Sequence, residues 1–170
     1  MTCMDVRVDR SPFGRGVFAA RPFAPGEKIL AVTGDRIDAR RLNVYGWTWE
    51  AWERYAEPIQ THRYEYTDPD PPGRYVNHSC EPNAGLTPGL ILIALAGIGE
   101  GEEIFIDYST TMDEDGLWTM ECGCATPSCR GTVEDFWRLP AALRYQYIEA
   151  GVVQEFIARK HTPPPCCRGG

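Results

Sequence analysis

The segment RYVNHSCEPN (residues 74–83) places Cys80 in a short polar loop. Later in the chain, CGCATPSC (residues 122–129) brings three more cysteines together in the spacing Cys-x-Cys-x4-Cys, and its glycine and proline allow the loop to fold back. Three thiolates that converge at about 2.3 Å from one ion are typical of zinc, and a structural zinc site needs a fourth ligand. Cys80 is the best candidate by position, but spacing alone leaves His78 and His62 open, because sites with three cysteines and one histidine are common.

The number and placement of the cysteines also bear on the cellular compartment. The chain of 170 residues has seven cysteines, of which Cys3, Cys166 and Cys167 lie near its ends. A chain of this length does not need disulfides to hold a core, and the N-terminus shows no apolar signal-peptide segment, so metal-bound thiolates in a reducing compartment are favoured. The longest apolar stretch, Leu90 to Ile98, is far too short to span a membrane. We expect a soluble intracellular protein without a membrane partner, cytoplasmic in a bacterium or nuclear in a eukaryote.

Composition bounds the size of the fold and the kind of partner. Hydrophobic residues make up 43% of the chain and charged residues 24%, which is enough for one compact core and too little length for two ordinary domains. The net charge of −7 and the pI near 5.0 disfavour direct binding to nucleic acid and suit a basic peptide partner, although solubility alone accounts for such a charge equally well.

Short apolar runs separated by glycine and proline turns predict a fold rich in strands. The predicted elements are a turn entering a strand at residues 11–20, strands at Ile29–Val32, His62–Thr67, Leu90–Leu95 and Glu103–Tyr108, and a proline-rich loop at residues 68–73. Many short strands with tight turns are typical of a compact β-rich fold rather than of a βαβ sheet.

Two segments show helical spacing. Between Asp38 and Gln60, the aromatic residues Tyr45, Trp49 and Trp52 recur at steps of three and four, which predicts an amphipathic helix. We expect its tryptophans to pack in the core rather than to bind a peptide. A second helical segment is predicted from Leu139 to Arg159, and a frayed tail follows it.

Four segments, in order, resemble the SET-domain lysine methyltransferases that carry a post-SET zinc segment. They are GRG (residues 14–16), RYVNHSCEPN (74–83), GEEIFIDY (101–108) and CGCATPSCRG (122–131). The resemblance runs from about Ser11 to Val133, and the Asn-His-Ser-Cys and Cys-x-Cys-x4-Cys-x-Gly pieces are specific.

The resemblance implies a mainly β fold with short helices (α+β), the SET-type β-clip of short curved sheets. In such a fold the Asn-His-Ser-Cys strand and the Asp-Tyr segment form a knot-like crossing, which periodicity cannot reveal. The implied division is an N-terminal arm (residues 1–10), a SET domain (11–110), a post-SET zinc segment (111–133), a C-terminal helical segment (134–160) and a flexible tail (161–170).

The resemblance also assigns roles to single residues. It implies S-adenosylmethionine as methyl donor, S-adenosylhomocysteine as product and Tyr108 as the catalytic tyrosine. The residues expected to bind the cofactor are Gly14, Arg15, Gly16, Tyr64, Arg74, Asn77 and His78. The family pattern settles the fourth zinc ligand in favour of Cys80, which joins Cys122, Cys124 and Cys129 in one closed, structural site.

Two positions depart from the family pattern. Many members carry a tyrosine that lines the lysine channel where this chain has Val32 or Thr33, so this wall is less polar. Two positions before Tyr108, where the family often has phenylalanine or tyrosine, this chain has Ile106. The number of methyl groups that are added is therefore left open.

The function that the resemblance implies is transfer of a methyl group from S-adenosylmethionine to a lysine side chain of a protein or peptide, such as a histone or another basic protein. One competing hypothesis is a catalytically silent SET-like module that holds a basic peptide. Another is a structural zinc protein that uses the aromatic face of the first predicted helix for assembly. The joint presence of Asn77, His78 and Tyr108 argues against the last of these.

Overall fold

The computed structural model describes residues 5–40, 58–114, 116 and 118–161. Most of the first predicted helix, with Tyr45, Trp49 and Trp52, lies outside these residues. Cys3, Cys166 and Cys167 lie outside them as well.

The described residues form short strands and two short α-helices, as expected for a mainly β fold. The strands are β1 (Val6–Ser11), β2 (Gly14–Ala19), β3 (Lys28–Ala31), β4 (Gly34–Asp38), β5 (Ile59–His62), β6 (Glu65–Pro69), β7 (Asn77–His78), β8 (Ala84–Leu86), β9 (Ile91–Ala94), β10 (Phe105–Ile106), β11 (Thr119–Glu121) and β12 (Thr132–Glu134). The helices are α1 (Ala141–Glu149) and α2 (Glu155–His161), and 3-10 turns span Gly73–Tyr75, Tyr108–Thr111 and Phe136–Arg138. No helix in the described part of the chain is long and apolar enough to cross a membrane.

The strands of the described residues form five small sheets. The pairs β1–β2 and β11–β12 are antiparallel, and so are the three-stranded sheets ordered β3-β9-β8 and β4-β6-β5. The β1–β2 hairpin includes residues that the sequence assigned to an N-terminal arm, because Val6 pairs with Ala19 and both are buried.

One pair of strands is parallel and joins distant parts of the chain. Strand β7 pairs with β10, with Asn77 opposite Phe105 and His78 opposite Ile106. The Ser79 N–H donates to the carbonyl of Ile106 at 2.9 Å. The two segments that the resemblance expects to cross therefore lie side by side.

The asparagine at the end of the RYVNHSCEPN segment ties it to the same strand. The Asn83 side chain donates to the carbonyl of Glu103 at 2.8 Å and accepts from the N–H of Phe105 at 2.9 Å. One amide side chain thus satisfies two backbone groups that have no strand partner at this point.

Three predicted elements differ from the structure. The predicted strand His62–Thr67 is a hairpin, with β5 ending at His62 and β6 beginning at Glu65. The predicted strand Glu103–Tyr108 is regular only at β10, and Tyr108 instead begins a 3-10 helix that is capped by Asp107. The predicted loop at residues 68–73 is partly strand, because β6 continues to Pro69.

The C-terminal helical segment is also interrupted, and it packs on the sheets. Helices α1 and α2 are separated at Gly151, whose φ of 69° is incompatible with a continuing helix. The buried residues of this segment form their own cluster, which includes Phe136, Tyr147, Val152 and Ile157. A larger cluster between the sheets includes Val17, Leu86, Leu92, Ile98 and Ile104.

Candidate functional site

Four cysteines converge from two loops. Cys80 follows β7, and Cys122, Cys124 and Cys129 come from the loop between β11 and β12. Their sulfur atoms all lie within 4.8 Å of one another, and the Sγ atoms of Cys80 and Cys122 are 3.7 Å apart. Sulfurs at about 2.3 Å from a tetrahedral zinc ion are separated by about 3.8 Å, so the four thiols fit one zinc ion.

The two histidines that competed for the fourth position are not part of the group of converging ligands. The His78 ring contacts the cluster through a hydrogen bond, with Nε2 3.5 Å from Cys80 Sγ, while its Nδ1 accepts from the backbone N–H of Tyr108. His62 ends β5, with its ring centroid 6.0 Å from that of Phe156. The group of metal-ligating side chains found among the described residues consists of the four cysteines alone.

The acidities of the thiols differ with their surroundings. Burial raises the pKa values of Cys80 and Cys122. Burial also acts to raise the pKa of Cys124, but a hydrogen bond to Thr126 and backbone N–H groups favour its thiolate and bring the pKa to about 6. A bound metal would replace the remaining protons, because thiolates are the ligands.

His78 connects the cysteine cluster to Tyr108. A backbone N–H can only donate, so His78 Nδ1 is the acceptor at 3.2 Å from Tyr108 N, and the proton of the neutral ring lies on Nε2, which faces Cys80. Burial lowers the pKa of His78 to about 4, which favours this neutral form, while the carboxylate of Asp107 acts to raise it. The His78 and Tyr108 ring centroids are 5.4 Å apart.

The glycine turn, Asn77 and a glutamate form a second polar cluster. The Asn77 amide donates to the carbonyl of Arg15 at 2.8 Å and to Glu103 Oε1 at 2.7 Å, and the Ser11 hydroxyl donates to Glu103 Oε2 at 3.0 Å. A Cβ atom at Gly16 would collide with the Glu103 carboxylate. We call Gly16, Asn77 and Glu103, with the turn at Gly14 and Arg15, the Asn77 cradle.

The arginines near this cradle have defined partners. The Arg15 guanidinium lies over the Tyr75 ring, 4.4 Å from its centroid, and donates to the Tyr75 hydroxyl at 2.9 Å. Arg74 pairs with Asp68 at 2.8 Å. Both arginines are thus positioned by residues that sequence reasoning did not single out.

Tyr64 lies on the surface of a turn. It occupies the turn between β5 and β6, is 43% exposed, and lies beneath the guanidinium groups of Arg40 and Arg63. Its role at the cofactor stays a prediction.

A cavity of about 240 Å³ opens beside Tyr108. Its walls are mainly apolar and include Val32, Val76, Leu86, Leu92, Ile106 and Met112, with Trp118 and Met120 contributed by the segment at β11. Among the described residues that line the cavity, none carries a carboxylate, and the charged one is Arg74. Such walls suit the aliphatic stem of a long side chain and disfavour a cation.

Residues at both positions that depart from the family pattern line this cavity. Val32 and Ile106 both line it, whereas the Thr33 hydroxyl hydrogen-bonds to Asp70 at 3.2 Å. The Tyr108 hydroxyl donates to the carbonyl of Val76 at 2.8 Å, which fixes the phenol at the cavity wall.

Sequence reasoning missed a buried carboxylate beside Tyr108. Asp107 accepts hydrogen bonds from Arg130, Tyr147 and the backbone N–H of Ser109. The one available signal was the position of Arg130 directly after Cys129, which places a cation beside the cysteine cluster.

Comparison with known proteins identifies the family. The SET domain family model matches residues 14–109, more than half of the chain. Histone-lysine N-methyltransferase ash1 of Drosophila melanogaster is 40% identical over 68 residues, covering 35% of this chain and 3% of ash1. Histone-lysine N-methyltransferase set-2 of Caenorhabditis elegans is 30% identical over 132 residues, covering 69% of this chain and 8% of set-2. N-lysine methyltransferase KMT5A-A of Danio rerio is 31% identical over 119 residues, covering 56% of this chain and 32% of that protein.

A solved structure shows the same fold. The humanized mutant of the Chaetomium thermophilum Polycomb Repressive Complex 2, bound to the inhibitor GSK126, superposes with a TM-score of 0.51 at 21% identity, covering 63% of this chain and 15% of the other. The chain spans only a small part of the length of the relatives it matches first. It nevertheless carries the fold and the domain itself, and it belongs to the SET domain family.

Proposed function

We propose that this protein is an S-adenosylmethionine-dependent protein lysine N-methyltransferase, with one structural zinc ion held by Cys80, Cys122, Cys124 and Cys129. The observation that carries the proposal is the cavity at Tyr108, whose lining in the described part of the chain is mainly apolar and includes no carboxylate. Membership of the SET domain family supports the same activity.

The Asn77 cradle fits the cofactor. The backbone of Gly14 and Arg15 is exposed beside Asn77, and the Asn77 amide oxygen can accept from an ammonium group while Arg15 and Glu103 hold its N–H groups. We assign cofactor binding to this turn, to Arg74, to Asn77 and to the backbone of His78, and we retain Tyr64 as a further candidate. The cofactor supplies the methyl group as a sulfonium.

The chain's own residues prepare the lysine amine. Only a neutral amine can attack, and a free lysine has a pKa of about 10.4. Removal from water into the mainly apolar cavity disfavours the ammonium form, so the lysine enters the cavity with its proton left to solvent.

Tyr108 then orients the amine. Its hydroxyl proton is directed at the carbonyl of Val76, so the phenol oxygen can accept a hydrogen bond from the amine. This contact would align the nitrogen lone pair with the transferred methyl, and most of the rate enhancement would come from such alignment.

A zinc ion held by Cys80, Cys122, Cys124 and Cys129 would stabilise this arrangement. With four protein ligands it would have no position for water and would take no part in the chemistry. We propose the same division of the chain as the sequence suggested, a SET domain at residues 11–110 and a zinc segment at 111–133 with helices after it, except that β1 forms part of the N-terminal hairpin.

The substrate that this proposal expects is a basic, lysine-containing protein or peptide. The net charge of −7 favours association with a basic partner and disfavours direct binding to nucleic acid. Histones are one such class, and the relatives named above are lysine methyltransferases.

The test is incubation of the zinc-loaded protein with labelled S-adenosylmethionine and a panel of basic proteins, read by mass spectrometry. We expect a mass increase on lysine that depends on Tyr108. Cofactor and peptide binding without methyl transfer would instead support the catalytically silent binding module.

A further inference from the structure

Asp107 is buried at the junction of the zinc loop and the proposed catalytic segment. Its side chain is fully buried, and Arg130 binds it with two hydrogen bonds of 2.9 and 2.7 Å. The Tyr147 hydroxyl, from α1, donates to the same carboxylate at 3.0 Å. Two parallel hydrogen bonds from one guanidinium fix the orientation of the Asp107 carboxylate as well as its distance from Arg130, which a surface ion pair does not.

The same carboxylate fixes the backbone at Tyr108. Asp107 Oδ1 accepts from the N–H of Ser109 at 3.1 Å and so caps the 3-10 helix that begins at Tyr108. The Asp107 carbonyl also accepts from the hydroxyl of Thr110 at 2.8 Å. The orientation of Asp107 thus determines how the chain enters Tyr108.

Arg130 is held just as firmly at its other end. It follows Cys129 directly, and its backbone N–H donates to Cys80 Sγ at 3.4 Å. A sulfur held on a metal ion accepts such a hydrogen bond from a fixed direction, so the filled cluster would hold the backbone of Arg130 in place.

We propose that Arg130 is a positioning residue that transmits the order of the filled cysteine cluster, through Asp107, to Tyr108. The contacts above support the positioning of Tyr108 by Arg130, and the effect of this positioning on turnover rests on the proposed function. Tyr147 extends the linkage to α1 and so brings the C-terminal helices into the same unit.

Two routes connect the cluster to Tyr108, and they differ in kind. His78 spans from Cys80 to the Tyr108 N–H through its own ring. Arg130 acts through the carboxylate of Asp107, whose Oδ1 also lies 3.6 Å from His78 Nδ1. Replacing Arg130 keeps the His78 ring and all four cysteines, so its substitution perturbs the route through Asp107 directly.

Hydrogen–deuterium exchange of a peptide covering residues 105–112 measures this linkage without any turnover. In the zinc-loaded wild type, we expect removal of zinc by a chelator to accelerate exchange in this peptide at least tenfold, while a peptide covering β3 keeps its protection. Zinc-loaded Arg130→Met should show the same local acceleration with its zinc content unchanged.

Three further variants keep the test decisive. Arg130→Lys can make one contact where arginine makes two, so we expect intermediate protection, and this variant decides the matter if Arg130→Met does not fold. Tyr147→Phe removes one hydrogen bond from Asp107 and should have a smaller effect. Arg159→Met removes an exposed i,i+4 ion pair and should leave residues 105–112 unchanged.

The kinetic readout separates positioning from general loss of structure. We expect Arg130→Lys to lower kcat at least fivefold, with the KM for S-adenosylmethionine within twofold of wild type. Wild-type exchange at residues 105–112 in a zinc-loaded Arg130 variant would overturn the proposal. A wild-type protein that transfers no methyl group would sink the proposed function, while the exchange experiment would still decide the linkage.

Discussion

A methyl group at position 16 would test whether Glu103 holds the Asn77 cradle together. In Gly16→Ala the new Cβ would occupy the place of the Glu103 carboxylate, which would have to swing away. Its hydrogen bonds from Asn77 and Ser11 would be lost, and at about 1–1.5 kcal/mol each in a half-buried setting they sum to about 2–3 kcal/mol of unfolding free energy. We also expect the affinity for S-adenosylmethionine to fall at least tenfold, because Asn77 loses one of the groups that orient its amide.

The magnitude is checked by a double-mutant cycle. Urea unfolding gives the free energy of each variant, and calorimetric titration gives the cofactor affinity. In Glu103→Ala the obstructing carboxylate is absent, so adding Gly16→Ala should cost less than about 0.5 kcal/mol more. Gly99→Ala is the control for the glycine replacement itself, since its Cβ would meet the nearest atom at an ordinary 3.5 Å. An equal cost for Gly16→Ala with and without Glu103 would refute the reasoning.

The remaining predictions concern the metal, the tyrosine and the product. Metal analysis of natively purified protein should give one zinc ion per chain. Cys124→Ala should lose most of the zinc and unfold at a lower temperature, because the binding energy at such a site is also folding energy. A Cys124→Ala variant that keeps full zinc content and stability would contradict this prediction. Tyr108→Phe should bind S-adenosylmethionine with nearly wild-type affinity in a calorimetric titration and turn over about a hundredfold more slowly; unchanged turnover would make Tyr108 merely structural. Ile106 gives the cavity wall no hydrogen-bonding group, so mass spectrometry of a lysine peptide under cofactor excess should show products beyond monomethyl-lysine. Ile106→Tyr should shift these products towards monomethyl-lysine. A wild-type reaction that stops at one methyl group would count against this prediction.

The motifs that could be predicted from the sequence are those whose chemistry is local. The spacing Cys-x-Cys-x4-Cys already requires a loop that folds back, and the structure brings Cys80 to it as the fourth thiol. Val32 and Ile106 line one cavity with Tyr108, and all three lie in the range that the SET domain family model matches.

The parts that could not be predicted depend on contacts between distant residues of ordinary type. The residue types of Glu103 and Asn77 do not indicate that the Asn77 amide donates a hydrogen bond to the Glu103 carboxylate. Strand pairing decides which side chains meet. The prediction of one strand at His62–Thr67 was wrong for a related reason. Alternation continues through both of its strands, so it does not reveal that Arg63 and Tyr64 form the turn.

The parallel pairing of β7 with β10 has a consequence for the order in which the chain acquires its site during synthesis. Strand β7 emerges first and must wait for β8, β9 and the turn after them before its partner exists. Tyr108 can dock on His78 only then, and its second attachment needs Arg130, which is made after the first three cysteines and directly after the fourth. Non-local pairing of this kind is slow, because loop closure is completed before its contacts form. A nascent chain that has just produced Tyr108 therefore holds the part of the cavity wall from Val32 to Ile106, but still lacks Met112, Trp118 and Met120 and the cysteines of residues 122–129.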